Sequence, residues 1–130
     1  MLALPAQDGL GVGEMGAVVI ERDWQRTVVE AAQLYGWKVK LDRNVRVQRK
    51  NGSCYFTTAI GGDGVGFPDL LMLKDDKQIT TELKVGRNKL TPDQEEWIAA
   101  FANVRQTYSG VWYPKDWDEA EAILRGERWW

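Results

Sequence analysis

The chain of 130 residues contains no histidine. That absence removes Ser-His-Asp triads, histidine-ligated metals and the nucleases that depend on a histidine base. It contains one cysteine, Cys54, which can form neither an internal disulfide nor a cysteine-rich zinc site. No apolar run approaches the roughly 18–20 residues of a membrane span. The opening residues, MLALPAQDGLGVG, lack the basic start and sustained apolar stretch of a signal peptide. A cytoplasmic protein without membrane partners is expected. General acid, base and metal-ligand roles must fall to Asp, Glu, Lys or Tyr. An oxygen-only ligand set favours hard cations such as Mg²⁺ or Mn²⁺.

The length suits one domain with a real core. Hydrophobic content of 44% and charged content of 28% are ordinary for a soluble globular fold. The net charge of −2 excludes a protein that is cationic all over. The charge is uneven, however. Lys38, Lys40, Arg43, Arg46, Arg49 and Lys50 stand against a single anion, Asp42, within thirteen residues. Such a strip is either a phosphate-binding surface or the solvated face of a hairpin.

Residues 1–18 show no period and read as a loose leader. Gly11, Gly13 and Gly16 spell GxGxxG, but Pro5 breaks the strand that a dinucleotide loop must follow. Ile20 to Tyr35 reads as a helix, with Trp24, Val28, Ala31, Ala32 and Tyr35 on one stripe and Gly36 as its stop. Trp37 to Leu41 alternates as a strand. Val45 to Thr58 reads as a hairpin about Asn51-Gly52. The four glycines from Gly61 to Gly66 require an irregular loop. Leu70 to Lys74 and Gln78 to Val85 read as strands, the first buried on both faces because its apolar run does not alternate. Thr91-Pro92-Asp93-Gln94 opens a second helix with a capping box, and Trp97, Ile98 and Phe101 form its core face. A strand from Thr107 to Tyr113 and a helix from Asp116 to Arg125 follow. The tail is 127–130. The order α-β-β-β-β-β-α-β-α predicts an α/β domain over 19–126, a mixed sheet flanked by helices with an inserted β-hairpin near 45–58.

If Asp75-Asp76 is a two-residue turn, Lys74 faces Lys77 and Asp69 lies opposite Glu82. Directly opposed Cβ atoms are about 4.5–5.5 Å apart. Lys84 shares the face of Glu82, while Leu83 points into the core. Two carboxylates that close repel unless positive charge sits between them. A divalent ion meets that need, with the Leu83 backbone carbonyl as a third oxygen ligand and Lys84 beside the attacking water. The alternative is a cross-strand Asp–Lys–Glu ion cluster at a sheet rim.

Pro68-Asp69 with Glu82-Leu83-Lys84 resembles the PD-(D/E)xK nuclease signature. The similarity extends to ERDWQ at Glu21 to Gln25, YGW at Tyr35 to Trp37, GFPDL at Gly66 to Leu70, KLTPDQEEW at Lys89 to Trp97 and VWYPKDW at Val111 to Trp117. Together these resemble the VRR-NUC family over about residues 20–125. The resemblance implies a restriction-endonuclease-like fold and Mg²⁺- or Mn²⁺-dependent hydrolysis of DNA. It implies that Asp69 and Glu82 bind metal, that Lys84 is the catalytic lysine, and that Glu21 is an additional acidic residue at the metal. Gln25, one turn after Glu21, can face the same site and is a candidate DNA contact. Gln94 joins the catalytic set; plain helix capping is its other reading. Small members of this kind are often phage-encoded, act as homodimers and are similar to Holliday-junction resolvases. That implies branched DNA as substrate, in a bacterial or phage-infected cell. Many similar sequences lack the insertion between Asp42 and Gly66. Its Arg43, Arg46, Arg49 and Lys50, together with Arg87 and Lys89, are candidate DNA contacts. Alternatively the hairpin builds the dimer. A non-catalytic DNA-binding module and a flap or nick nuclease remain the alternatives to a junction endonuclease.

Overall fold

The computed structural model describes residues 14–42, 45–48, 54–57 and 61–128, with side chains described for 20–42 and 61–128. Helix α1 (Glu14–Leu34) leads into strands β1 (Lys38–Leu41), β2 (Val45–Gln48), β3 (Cys54–Thr57), β4 (Leu70–Lys74) and β5 (Lys77–Leu83). Helix α2 (Pro92–Ala102), strand β6 (Thr107–Trp112), a 3₁₀ turn (Pro114–Asp116) and helix α3 (Trp117–Leu124) complete the order. This is the α/β element order expected from the sequence.

Gly36 ends α1 at φ +93°. Its N–H donates to the Gln33 carbonyl and the Trp37 N–H to that of Ala32, the paired bonds of a Schellman stop. The start of α1 differs from expectation. The helix begins at Glu14, so 14–18 belong to it rather than to a loose leader. The interior Gly16 costs only about 1 kcal/mol relative to alanine. The third glycine of GxGxxG is therefore helical; Gly11 and Gly13 lie outside the described residues.

Four strands form one sheet in the order β1-β4-β5-β6. β1, β4 and β5 run antiparallel, and β6 lies parallel to β5. Strands β2 and β3 pair with each other as a separate two-stranded sheet, the inserted hairpin. Its Asn51-Gly52 turn lies outside the described residues. The β4–β5 connection is the two-residue turn read from the sequence. Lys74 faces Lys77, and Asp75 takes φ +54°, which aspartate tolerates better than most residues.

The two faces of the sheet differ. On the first face, Leu70, Met72, Ile79, Leu83 and Trp112 pack with Trp24, Val28, Ala31 and Ala32 of α1 and with Trp117, Ala120, Ile123 and Leu124 of α3. Each fully buried leucine, isoleucine or methionine there contributes about 1.5–3 kcal/mol. The Trp24 and Trp117 rings meet edge to face at 5.9 Å. Buried indole N–H groups find carbonyls: Trp24 donates to Trp112 and Trp37 to Leu124. The second face is polar under α2. Thr80 Oγ1 donates to Ser109 Oγ, which donates to the Ile98 carbonyl of α2.

That polar second face explains two corrections. β4 is not buried on both sides: Leu70 and Met72 are buried, Leu71 is half-buried and Leu73 is 48% exposed. α2 covers β5 and β6 and leaves the second face of β4 open. Nor do Trp97, Ile98 and Phe101 bury a core face, since α2 has no buried residue. Trp97 and Phe101 instead clasp Phe67 from the loop before β4. Among the described residues, no helix is long and apolar enough to cross a membrane.

Candidate active site

The site is built by the β4–β5 register. Leu70 faces Thr81, so Asp69 lies opposite Glu82 one position further on. The next position sets Pro68 opposite Leu83. There the Leu83 backbone points toward β4, because the alternate residues Gln78 and Lys84 donate their N–H groups toward β6, to the carbonyls of Gln106 and Trp112. Proline has no N–H to give to the Leu83 carbonyl. That carbonyl is therefore left without a ladder donor beside the two carboxylates. The Leu83 N–H is taken by Asp69 itself, whose Oδ2 accepts it at 3.3 Å.

Glu82 is fully buried, at 0% exposure, yet neither of its carboxylate oxygens has a hydrogen-bond partner. Among the described residues, the only other such buried side-chain oxygen is Thr81 Oγ1, on the opposite sheet face. Burial pushes the Glu82 carboxyl up to about 9; the Asp69 carboxyl pushes the same way, and the charge of Lys84 opposes both. With no donor between them, the two carboxyls can bond only by sharing a proton. Lys84 is half-buried on the face of Glu82 but makes no ion pair with it. The cross-strand ion cluster, the alternative reading of the spacing, is not formed.

The loop carrying Asp69 is fixed from α2. Trp97 Nε1 donates to the carbonyls of Asp63 and Val65, and the Phe67 ring meets Trp97 and Phe101 at 5.1 and 5.7 Å. Gly66, at φ +85°, touches the start of α2 so closely that a Cβ would lie 2.6 Å from the Asp93 backbone. The sequence does not display these features as site determinants beyond the Gly66-Phe67-Pro68-Asp69 string. Gln94 closes the capping box: its Oε1 accepts from Thr91 N–H and its own N–H donates to Thr91 Oγ1. The capping reading of Gln94 is thus present in full.

Glu21 and Gln25 lie one turn apart on α1, Gln25 buried and Glu21 half-buried. Trp24 between them bonds the Trp112 carbonyl, which also accepts from Lys84 N–H. One carbonyl therefore ties this turn of α1 to the backbone of Lys84. Glu21 does not complete a cluster with Asp69 and Glu82: among the described residues, no three His, Cys, Asp or Glu side chains converge. Arg87 and Lys89 are exposed on the loop after β5, where the Asn88 carbonyl accepts from Tyr113 Oη. Arg46 lies on β2, Tyr55 and Phe56 on β3, and their side chains are outside the description. Arg43, Arg49 and Lys50 lie outside the described residues, as does the Trp129-Trp130 end.

The donor set is two carboxylates and a backbone carbonyl. Mg²⁺ is typically held by one or two carboxylates and keeps several waters. The orphaned Glu82 oxygens fit such an ion, since a cation between the carboxylates removes the need for a shared proton. Comparison of the chain with protein-family models, with curated proteins and with solved structures finds no match to any of them.

Proposed function

We propose that the chain is a metal-dependent DNA endonuclease of the PD-(D/E)xK type with a restriction-endonuclease-like fold, similar to the VRR-NUC family. Its proposed substrate is branched DNA such as a four-way junction, cut by a homodimer, since a two-fold enzyme suits a symmetric junction. The observation that carries the reading is Glu82, a fully buried carboxyl without a donor, set against a second carboxyl. A residue kept only for stability has no need of that arrangement, which costs free energy. Two further features support the reading. Helix, three antiparallel strands, helix and parallel strand follow one another once the β2–β3 insertion is set aside. Pro68 frees the carbonyl that would serve as the third oxygen ligand.

Asp69, Glu82 and the Leu83 carbonyl would hold Mg²⁺ or Mn²⁺, while Glu21 stands apart from this set. When bound, the ion supplies Lewis acidity at the scissile phosphate and lowers the pKa of the attacking water. The chain's own groups do the rest. Leu83 N–H fixes one oxygen of Asp69, so the carboxylate presents the other. Lys84 orients the attacking water or stabilises charge developing on the phosphate. Arg87, Lys89 and the insertion cations Arg43, Arg46, Arg49 and Lys50 engage the DNA, Gln25 stays buried within α1, and Gln94 braces the helix beside the Asp69 loop.

The test is cleavage of four-way junctions, flaps and linear duplex with Mg²⁺ or Mn²⁺ by wild type, Asp69→Ala and Lys84→Ala. Cleavage by wild type, lost in both variants, is expected. Equal activity in all three proteins would overturn the assignment. DNA binding without cleavage by wild type would favour a binding module instead.

A further inference from the structure

The second face of the sheet holds more than the carboxylate pair. Lys40 faces Leu71, and Lys38 faces Leu73. Leu71 and Leu73 follow Asp69 at steps of two, so all of these side chains share one face. Lys40 is the diagonal cross-strand neighbour of Asp69, a separation of about 7–8 Å. Lys38 lies about 7 Å further along β1. α2 does not extend over this half of the face: Leu73 is 48% exposed, and both lysines are exposed.

We propose that Lys38 and Lys40 hold the phosphates adjoining the scissile one, so that the substrate strand runs from the Asp69–Glu82 site across β4 to β1. This rests on the nuclease reading and extends it to the path of the DNA. The occupant follows from charge. Lys38 has no ion pair among the described residues. Lys40 bonds Asp42 at 2.7 Å, but the two side chains are 67% and 47% exposed. An exposed pair of that kind is worth about 1 kcal/mol or less and yields readily to a phosphate. Two cations on an open strip, next to a carboxylate pair that itself requires a cation, match a polyanion carrying a metal at one phosphate. The alternation of Lys38 and Lys40 about Val39 is the sequence signal for it. Val39 packs against the core, and the lysines therefore face away from it.

Binding of a fluorescein-labelled four-way junction by the uncleaving Asp69→Asn protein tests the proposal, measured by anisotropy across about 50–200 mM salt. Lys38→Gln/Lys40→Gln is compared with Lys40→Gln and with Arg105→Gln, an exposed cation just before β6 at the opposite edge of the sheet. The double variant is expected to bind at least tenfold more weakly at low salt. The slope of log K against log salt should fall by about 2, and by about 1 for Lys40→Gln. Arg105→Gln should leave the slope unchanged, and all variants should keep the parent melting temperature. In the active protein the double substitution should raise KM far more than it lowers kcat. If the slope falls as stated but wild type cuts no DNA with either metal, the nuclease reading fails and the phosphate track stands. An unchanged slope in the double variant overturns the track, whether or not wild type cuts. So does a change confined to oligomeric state in sedimentation, which would place a second copy on the strip. Failure of the parent protein to bind DNA overturns both.

Discussion

Glu82→Gln should make the protein more stable while abolishing its proposed activity. The unfolded chain loses the Glu82 proton near 4.5, the folded chain near 9. Between these values the unfolded chain binds fewer protons, so stability falls as pH rises. The contribution is complete below 4.5 and gone above about 9. At 1.36 kcal/mol per pH unit, the loss reaches about 3 kcal/mol at pH 7 and about 6 kcal/mol across the window. Glutamine keeps the shape, cannot ionise, and replaces the proton shared with Asp69 by an N–H donor. The metal-free variant should therefore exceed wild type by up to about 3 kcal/mol at pH 7, or a melting temperature about 10 °C higher. The gap should be small near pH 4.5 and should widen toward pH 9. Urea unfolding in EDTA at several pH values measures it. A variant less stable than wild type, or a gap that does not change with pH, would show that Glu82 is ionised in the folded chain and refute the reasoning.

Three further outcomes are expected. Asp69→Asn and Glu82→Gln should not be additive in the metal-free protein, because each removes one partner of the same shared proton; a double-mutant cycle by urea unfolding measures the coupling. Gly66→Ala should cost about 2–4 kcal/mol, since it adds a strained φ and a 2.6 Å clash with Asp93, and should lower cleavage by displacing the Asp69 loop; denaturation and rate assays check both effects. Lys84→Ala should lower kcat by about 10²–10³-fold while Mn²⁺ affinity and fold persist, as seen by single-turnover cleavage and calorimetry.

The parts of the site that were legible in the sequence are those fixed by short-range rules. Asp75-Asp76 admits a tight turn, and counting back from it places Asp69 opposite Glu82. Thr91-Pro92-Asp93-Gln94 spells a capping box, and the box is present. Long-range packing was not legible. The run Leu70 to Leu73 reads as buried twice over, but α2 reaches β5 and β6 and stops short of β4, leaving Leu73 in solvent. Trp97 and Phe101 read as a helix core face, yet their rings turn to Phe67 and pin the loop that carries Asp69. α1 includes Gly16 because a single glycine costs too little to break a helix of 21 residues. The donor-less state of Glu82 depends on residues 69 and 82 meeting inside the fold, so no window of sequence displays it.

The central claim is that Asp69 and Glu82 are held together for a divalent cation. Titration of the wild-type protein with Mn²⁺ by calorimetry, in two buffers of different ionisation enthalpy at pH 7, tests it most directly. Binding with release of about one proton is predicted, because the proton shared by the pair must leave. Asp69→Asn and Glu82→Gln should abolish that binding. Absence of Mn²⁺ binding, or equal binding by wild type and both variants, would contradict the account.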